Sequence, residues 1–332
     1  MSSRTSTVPA LQAQPEAASA SPQLRNDLTR AAALQAAGAR AVQTQIDTTP
    51  IAERAHPEDF EHAVPGTAFV RGKNDASEVD PHDVHQNAHA TDCWLLAALM
   101  TVARTNPGLI ESMVQPAGNG AWHVSFYSTD WQAYLNWQPG QPSPRKTRKT
   151  VVVTDSFPVD AQGTPGYASV GETGAGGPEL WVMLIEKAVA ADMGGYHNLT
   201  TATSDMGLFL LTPDPLATQG HAGIDTIVPA DLTPDALLDR LGSAFESGTP
   251  MVAGSSDFPN SFFDTRQAAA LERARQLGMY LGHAHVFTAV DRRARTVSLE
   301  EPSQTRPLPH LSIEDFQQFF INVSIGAPRH RR

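Results

Sequence analysis

Asp92-Cys93-Trp94-Leu95-Leu96-Ala97-Ala98-Leu99 is the stretch on which the reading of this chain turns, and it holds the only cysteine among 332 residues. Thr91 and Asp92 are N-cap residue types followed by an apolar run, so a helix is expected to begin at Cys93. In that first turn, backbone N–H groups and the positive end of the helix dipole favour the thiolate, the form that attacks. A lone cysteine is also a common small core residue, so its partners must decide between packing and chemistry.

Working outward, composition narrows the classes. The length gives room for about two ordinary domains, and a single cysteine cannot form an internal disulfide, so the thiol stays free in a reducing compartment. A net charge of -11 argues against a broad nucleic-acid surface or an anchor on anionic membrane. No apolar run approaches the roughly 18 residues of a membrane span, so a soluble, cytoplasmic-type protein without stable membrane insertion is expected. Residues 1–60 are rich in Ser, Thr, Ala, Gln and Pro and lack a basic-then-apolar signal, so they read as a disordered leader. Their composition resembles the secretion regions of bacterial effectors injected into host cells, and delivery of that kind is the expectation; ordinary tails share the composition.

The pattern then alternates helices and strands. A short helix is expected after Pro107-Gly108, a half-buried strand over Ala121 to Ser128, and another at Val151-Val152-Val153. Arg145, Lys146, Arg148 and Lys149 read as a solvated hairpin loop. Pro178 opens a helix running to Ala188. Thr212 to Pro234 reads as a link between two lobes, 61–215 and 216–328, that meet across a cleft. The second lobe should hold helices at Pro234–Ser247, around Ala268–Leu277 and from Ile313, with strands at Met251–Ser255, Gly282–Val290, Thr296–Glu300 and a last Phe-Ile-Asn-Val segment.

A cysteine nucleophile requires a base, a group that orients the base, and donors for the oxyanion. Gly282-His283-Ala284-His285 runs into an apolar strand, where the two histidines share one face and Ala284 takes the other, leaving either as the base. Glu300 and Glu301 precede Pro302 at a strand end and can accept from an imidazole. Gln86 and Asn87 lie shortly before the thiol, and either amide can donate to an oxyanion. His82, His85 and His89 have metal-like spacing, but no cysteine or helix-borne Glu completes a conventional zinc site.

These segments together resemble the catalytic core of calpain-family, papain-like cysteine proteases, over roughly Ala68 to Gly326. Asp83-Val84-His85-Gln86 followed by Asp92-Cys93-Trp94-Leu95-Leu96-Ala97-Ala98 is similar to the family's Gln-to-Cys motif. Val151 to Pro158, Glu179 to Ala188 and Gly195-Tyr196 resemble segments of its first lobe. Gly282-His283-Ala284-His285 resembles Gly-His-Ala-Tyr, and Leu311 to Phe316 its terminal helix. The resemblance implies an α+β, papain-like two-lobe fold and an endopeptidase acting on protein or peptide. It implies Cys93 as nucleophile, His283 as base and Gln86 as oxyanion donor, with Glu301 where the family has Asn. His285 takes the Tyr position. One residue more separates Gln86 from Cys93 than in the family, so Asn87 takes the literal offset; Thr91 stands where the family has Gly, and Ser303 where a Trp shields the triad. No cofactor is required by this chemistry. The resemblance also implies calcium, for which Asp83 and Glu179 match acidic positions and supply two of the roughly six to eight oxygens needed. The family's calcium-sensing and lipid-contacting modules find no room after Gly326. Papain-like folds also support transamidation, and the altered Asn-Pro-Trp region gives a second alternative, a pseudo-protease that only binds a partner in its cleft.

Overall fold

A computed structural model describes residues 60–70, 79–87, 90–137, 141, 144–159, 163–171, 173–174, 177–200, 202–212, 224–255, 265–279, 281–303 and 308–326. The expected leader lies outside these apart from Phe60, as do His89 and the middle of the expected link.

In the first lobe, helix α1 (Cys93–Thr105) is apolar on every side, the pattern of a helix buried all round, and Trp94 through Ala103 are all buried. Strand β1 (Phe60–Ala63) precedes it, and α2 (Pro107–Met113) follows with proline at its start. Next come β2 (Val114–Gly118), β3 (Ala121–Ser128), α3 (Trp131–Leu135), β4 (Thr147–Thr154) and β5 (Ser156–Val159). Strands β2, β3 and β4 form an antiparallel sheet, and β1 pairs with β5. Strand β4 begins earlier than the sequence suggests. Thr147, Arg148 and Lys149, expected in a loop, pair with Ser128, Tyr127 and Phe126, because the β3 partner satisfies their backbone while Arg148 stays exposed and Lys149 reaches the Asp192 carboxylate.

The short strands β6 (Thr173–Gly174) and β7 (Gly177–Pro178) lead to α4 (Trp181–Met193). Pro178 therefore belongs to a strand, and the helix starts later, at Trp181. Its end is set by Gly194, whose φ of 90° is the left-handed conformation that closes helices. Helix α5 (Ser204–Leu211) then crosses α1 closely. A Cβ on Gly207 would lie 2.6 Å from both the Ala98 Cβ and the Trp94 carbonyl oxygen, so only glycine fits.

The second lobe contains β8 (Asp225–Ile227), α6 (Pro234–Glu246), β9 (Met251–Ser255), α7 (Thr265–Gln276), β10 (Ala284–Asp291), β11 (Thr296–Glu300), β12 (Leu311–Ser312), α8 (Ile313–Phe319) and β13 (Phe320–Ile325). Six of these strands make one antiparallel sheet in the order β12-β11-β10-β9-β13-β8. Its two faces do different work. Val252, Ala284 and Val286 join the first-lobe core built around α1, whereas Ala253, Phe287, Leu299 and Phe316 belong to a second core. The alternation along β9 and β10 thus presses one sheet face onto the cysteine helix. Polar ties fix the same contact: the Met251 N–H donates to Thr101 Oγ1 at 3.1 Å, and Arg104 donates to Glu300 at 2.8 Å and to the Phe287 carbonyl at 3.2 Å. No described helix is long and apolar enough to cross a membrane.

Candidate active site

Cys93 is the first residue of α1, partly buried and free. Its sulfur lies near the start of β10, where the backbone of Ala284 favours the thiolate, as do the backbone groups of Trp94 and of Cys93 itself. These groups favour the thiolate as a helix start should. Burial outweighs them, and the Asp92 charge adds to burial, so the thiol is pushed above its ordinary value of 9.0. The expected net lowering is therefore reversed in this conformation, which holds the sulfur protonated.

The two histidines part company. Strand β10 starts at Ala284, so His283 lies outside it and outside the pleat that was expected to align the pair. His283 is partly exposed, next to the residue whose backbone lies near the thiol. His285 is fully buried, paired with Ala253 and edge-on to Phe320 at 5.1 Å between ring centres. Burial, with His283 adding to it, pushes its pKa from 6.5 down to about 3, so it is neutral.

Gln86 is buried and joins both lobes. Its backbone N–H donates to the Pro302 carbonyl at 3.0 Å, and its side-chain Nε2 donates to the Ala90 carbonyl at 3.0 Å and to Asp92 Oδ1 at 3.1 Å. Both amide hydrogens are thus engaged within the loop that precedes the thiol. Asn87 donates instead to the Pro165 carbonyl at 2.6 Å. Glu301, just before Pro302, is buried in the turn that follows β11, whereas Glu300 is committed to Arg104.

Asp92 caps α1 by position without a side-chain capping bond. Its fully buried carboxylate serves Gln86 and meets Glu186 of α4, whose two oxygens accept from the Ala168 N–H at 3.1 and 3.2 Å. Burial first, then the Asp92 charge, pushes the Glu186 carboxyl well above the carboxylate range. Sequence reasoning passed over this pair. The available signal was a Glu-Lys step inside the helical run Trp181 to Ala190, which is buried throughout.

Asp83 and Glu179 also meet, and both are buried. The Asp80 N–H donates to Asp83 Oδ2 at 3.0 Å and the Val70 N–H to Glu179 Oε1 at 2.8 Å. A Cβ on the adjacent Gly171 would come within 2.9 Å of Glu179 Oε2 and 3.1 Å of the Asp83 Cβ. Two carboxylates beside a backbone kept open by glycine are hard oxygen donors of the kind calcium takes, short of the roughly six to eight it needs. Among the described residues no group of three or more His, Cys, Asp or Glu is placed to hold a metal. His82 pairs with Asp80 at 2.7 Å.

Comparison with known proteins identifies the family. Residues 57–304 match the family described as calpain family cysteine protease, which takes in Cys93, His283 and Glu301. Human Calpain-9 is 22% identical over 200 residues, 60% of this chain and 24% of that protein, so the chain spans about a quarter of the length of the curated relative it matches. A cysteine at a buried helix start, Gly-His-Ala leading into an inner strand beside it, and a family match over three quarters of the sequence place this chain in the calpain family of cysteine proteases.

Proposed function

We propose that this chain is an endopeptidase that cleaves protein or peptide through a thioester on Cys93. The observation that supports the reading is that the backbone of Ala284, the residue after His283, lies near the Cys93 sulfur, so the strand that follows His283 meets the start of the nucleophile helix. His283 takes the thiol proton, the sulfur bonds to the substrate carbonyl carbon, and negative charge develops on the oxygen. Collapse breaks the carbon–nitrogen bond as His283 returns the proton to the leaving amine. Water, deprotonated by His283, then displaces the sulfur and gives the acid and the free thiol.

Glu301 orients the imidazole and holds its tautomer from a buried position. Gln86 and the Cys93 N–H receive the oxyanion. That role requires Gln86 to release the Ala90 carbonyl or Asp92, since both of its amide hydrogens are engaged. The raised thiol makes His283 indispensable, because the sulfur has no other basic side chain in the scheme. Calcium, where bound, would be held by Asp83 and Glu179, would supply charge balance to that buried pair, and has no part in acyl transfer.

The test combines a peptide-hydrolysis assay with labelling by a thiol-directed epoxide. Hydrolysis and labelling at neutral pH, both lost in Cys93→Ala, are expected; hydrolysis that survives Cys93→Ala, with contaminating protease removed, defeats the proposal. A second reading, a pseudo-protease that binds a partner in the cleft, is favoured by the raised thiol and the engaged Gln86 amide. An inert thiol in folded protein supports it. Transfer of the acyl group to an amine in place of water is distinguished by the product mass. Delivery as an effector rests on the composition of residues 1–60 alone and is tested by fusing that segment to a reporter.

A further inference from the structure

His283 stands before β10, so no strand ladder fixes its main chain, and the turn into it relies on Gly282, whose φ of 90° is open to glycine. Other bonds fix it. The Ser255 N–H, at the end of β9, donates to the His283 carbonyl at 3.0 Å, and the Ser255 hydroxyl donates to the same oxygen at 3.2 Å. That hydroxyl oxygen accepts the N–H groups of Gly282 at 3.1 Å and His283 at 3.3 Å. One hydroxyl thereby uses its single hydrogen and both lone pairs on two consecutive residues.

The His283 carbonyl also lies 3.1 Å from His285 Nδ1. A carbonyl only accepts, so Nδ1 carries the hydrogen and Nε2 is left with a lone pair. Nε2 is buried without a partner. An orphaned buried acceptor is destabilising, and a phenyl ring would fill the same space beside Phe320 without that cost. What the imidazole adds over a phenyl is the bond to His283.

We propose that Ser255 and His285 are positioning residues that clamp the main chain of His283 on both sides and so aim its imidazole at Cys93. The inference rests on the reading of His283 as general base. Both residues act through His283 and touch neither substrate nor sulfur in the scheme.

The experiment compares full-length wild type with Ser255→Ala, His285→Phe and His285→Asn, the last because an amide N–H can replace Nδ1–H. Peptide hydrolysis gives kcat and KM per folded molecule, and iodoacetamide alkylation of Cys93 is followed against pH. Ser255→Ala and His285→Phe are expected to lower kcat roughly 10- to 100-fold, the scale of a small misplacement of a catalytic group, with KM within about twofold. Their alkylation profiles should move to higher pH, because a displaced imidazole stabilises the thiolate less. His285→Asn should recover part of both losses.

A purely structural role predicts a lower melting temperature with unchanged kcat and alkylation profile, and that result overturns the clamp. Should either variant fail to fold, the other decides. Wild-type hydrolysis that does not depend on Cys93, together with alkylation unchanged in His283→Ala, instead defeats the reading of the base itself.

Discussion

The backbone N–H of Gln86 donates to the carbonyl of Pro302 at 3.0 Å. One residue of this pair lies before the nucleophile in the first lobe, and the other follows Glu301 in the second. A single main-chain bond therefore registers the oxyanion candidate against the turn that carries the base-orienting candidate. Because the bond uses backbone atoms, substituting the Gln86 side chain leaves it in place, which separates the side chain's chemistry from lobe alignment.

Gln86→Ala should consequently lower kcat by about 10²–10³, the usual effect of removing an oxyanion donor, while the lobes stay in register. It should also destabilise the protein by about 1–3 kcal/mol, because Asp92 loses its amide donor in a buried position. Steady-state kinetics and urea denaturation on one preparation measure the two effects. A stability loss with unchanged kcat would mean that Gln86 serves only the loop.

How much of this was legible in sequence depends on how local each feature is. The start of α1 at Cys93, the strand Ala121–Ser128 and the strand Met251–Ser255 came from periodicity and caps, and the structure has them at those residues. The direction of the thiol shift was not legible, because it is set by burial against β10, nearly 200 residues away in the chain. The inequality of the two histidines was hidden for a similar reason: strand pairing with β9 begins at Ala284 and leaves His283 outside. The Ser255 contacts join the end of one strand to the residues before another, and neither segment carries a pattern that announces them. The Asp92–Glu186 contact left only an unexplained charge in a buried helix.

Glu301 stands where the family resemblance places Asn, so two substitutions divide its role. Glu301→Ala should reduce turnover about 10- to 100-fold, less than the loss on removing a general base outright, while alkylation of Cys93 persists. Glu301→Asn should retain most activity if orientation of the imidazole is what the position supplies. Unchanged kinetics in Glu301→Ala would remove it from the catalytic scheme.

His285 gives the fold an acid sensitivity. Its pKa is about 3 in the folded state against 6.5 ordinarily, so below pH 6.5 the unfolded chain binds a proton that the folded chain refuses. The stability it confers is present above that value and is lost as pH falls toward 3. At about 1.4 kcal/mol per pKa unit the full effect is on the order of several kcal/mol. Melting temperature should therefore decline on acidification from about pH 6.5, and His285→Phe should flatten that decline even as it lowers kcat near neutrality.

Arg104 ties the far end of the cysteine helix to the second lobe through Glu300 and the Phe287 carbonyl. Both side chains are partly exposed, so the pair is screened. Arg104→Ala should cost about 1–2 kcal/mol in urea denaturation, with part of the loss disappearing at high salt. Active-site labelling of Cys93 should persist, since the tie lies at the opposite end of α1. Loss of labelling in folded protein would show that lobe docking at this point controls the thiol.

The Asp92–Glu186 contact makes the opposite prediction to His285. Burial and the Asp92 charge hold the Glu186 pKa above its ordinary 4.5, so the folded protein keeps a proton that the unfolded chain releases. That contribution is fully present below about pH 4.5 and is lost as pH rises toward the folded value. Tyr196 faces Glu186, and its own hydroxyl is pushed well above 10 by burial first and then by that carboxyl, so it supplies no compensating charge. Glu186→Gln can still accept from the Ala168 N–H and donate to Asp92, keeping the geometry without the titration. Denaturation midpoints followed from about pH 6.5, above the range in which His285 acts, to about pH 9 should fall in the wild type and stay flatter in Glu186→Gln, and parallel curves for the two proteins would show that Glu186 does not hold the proton.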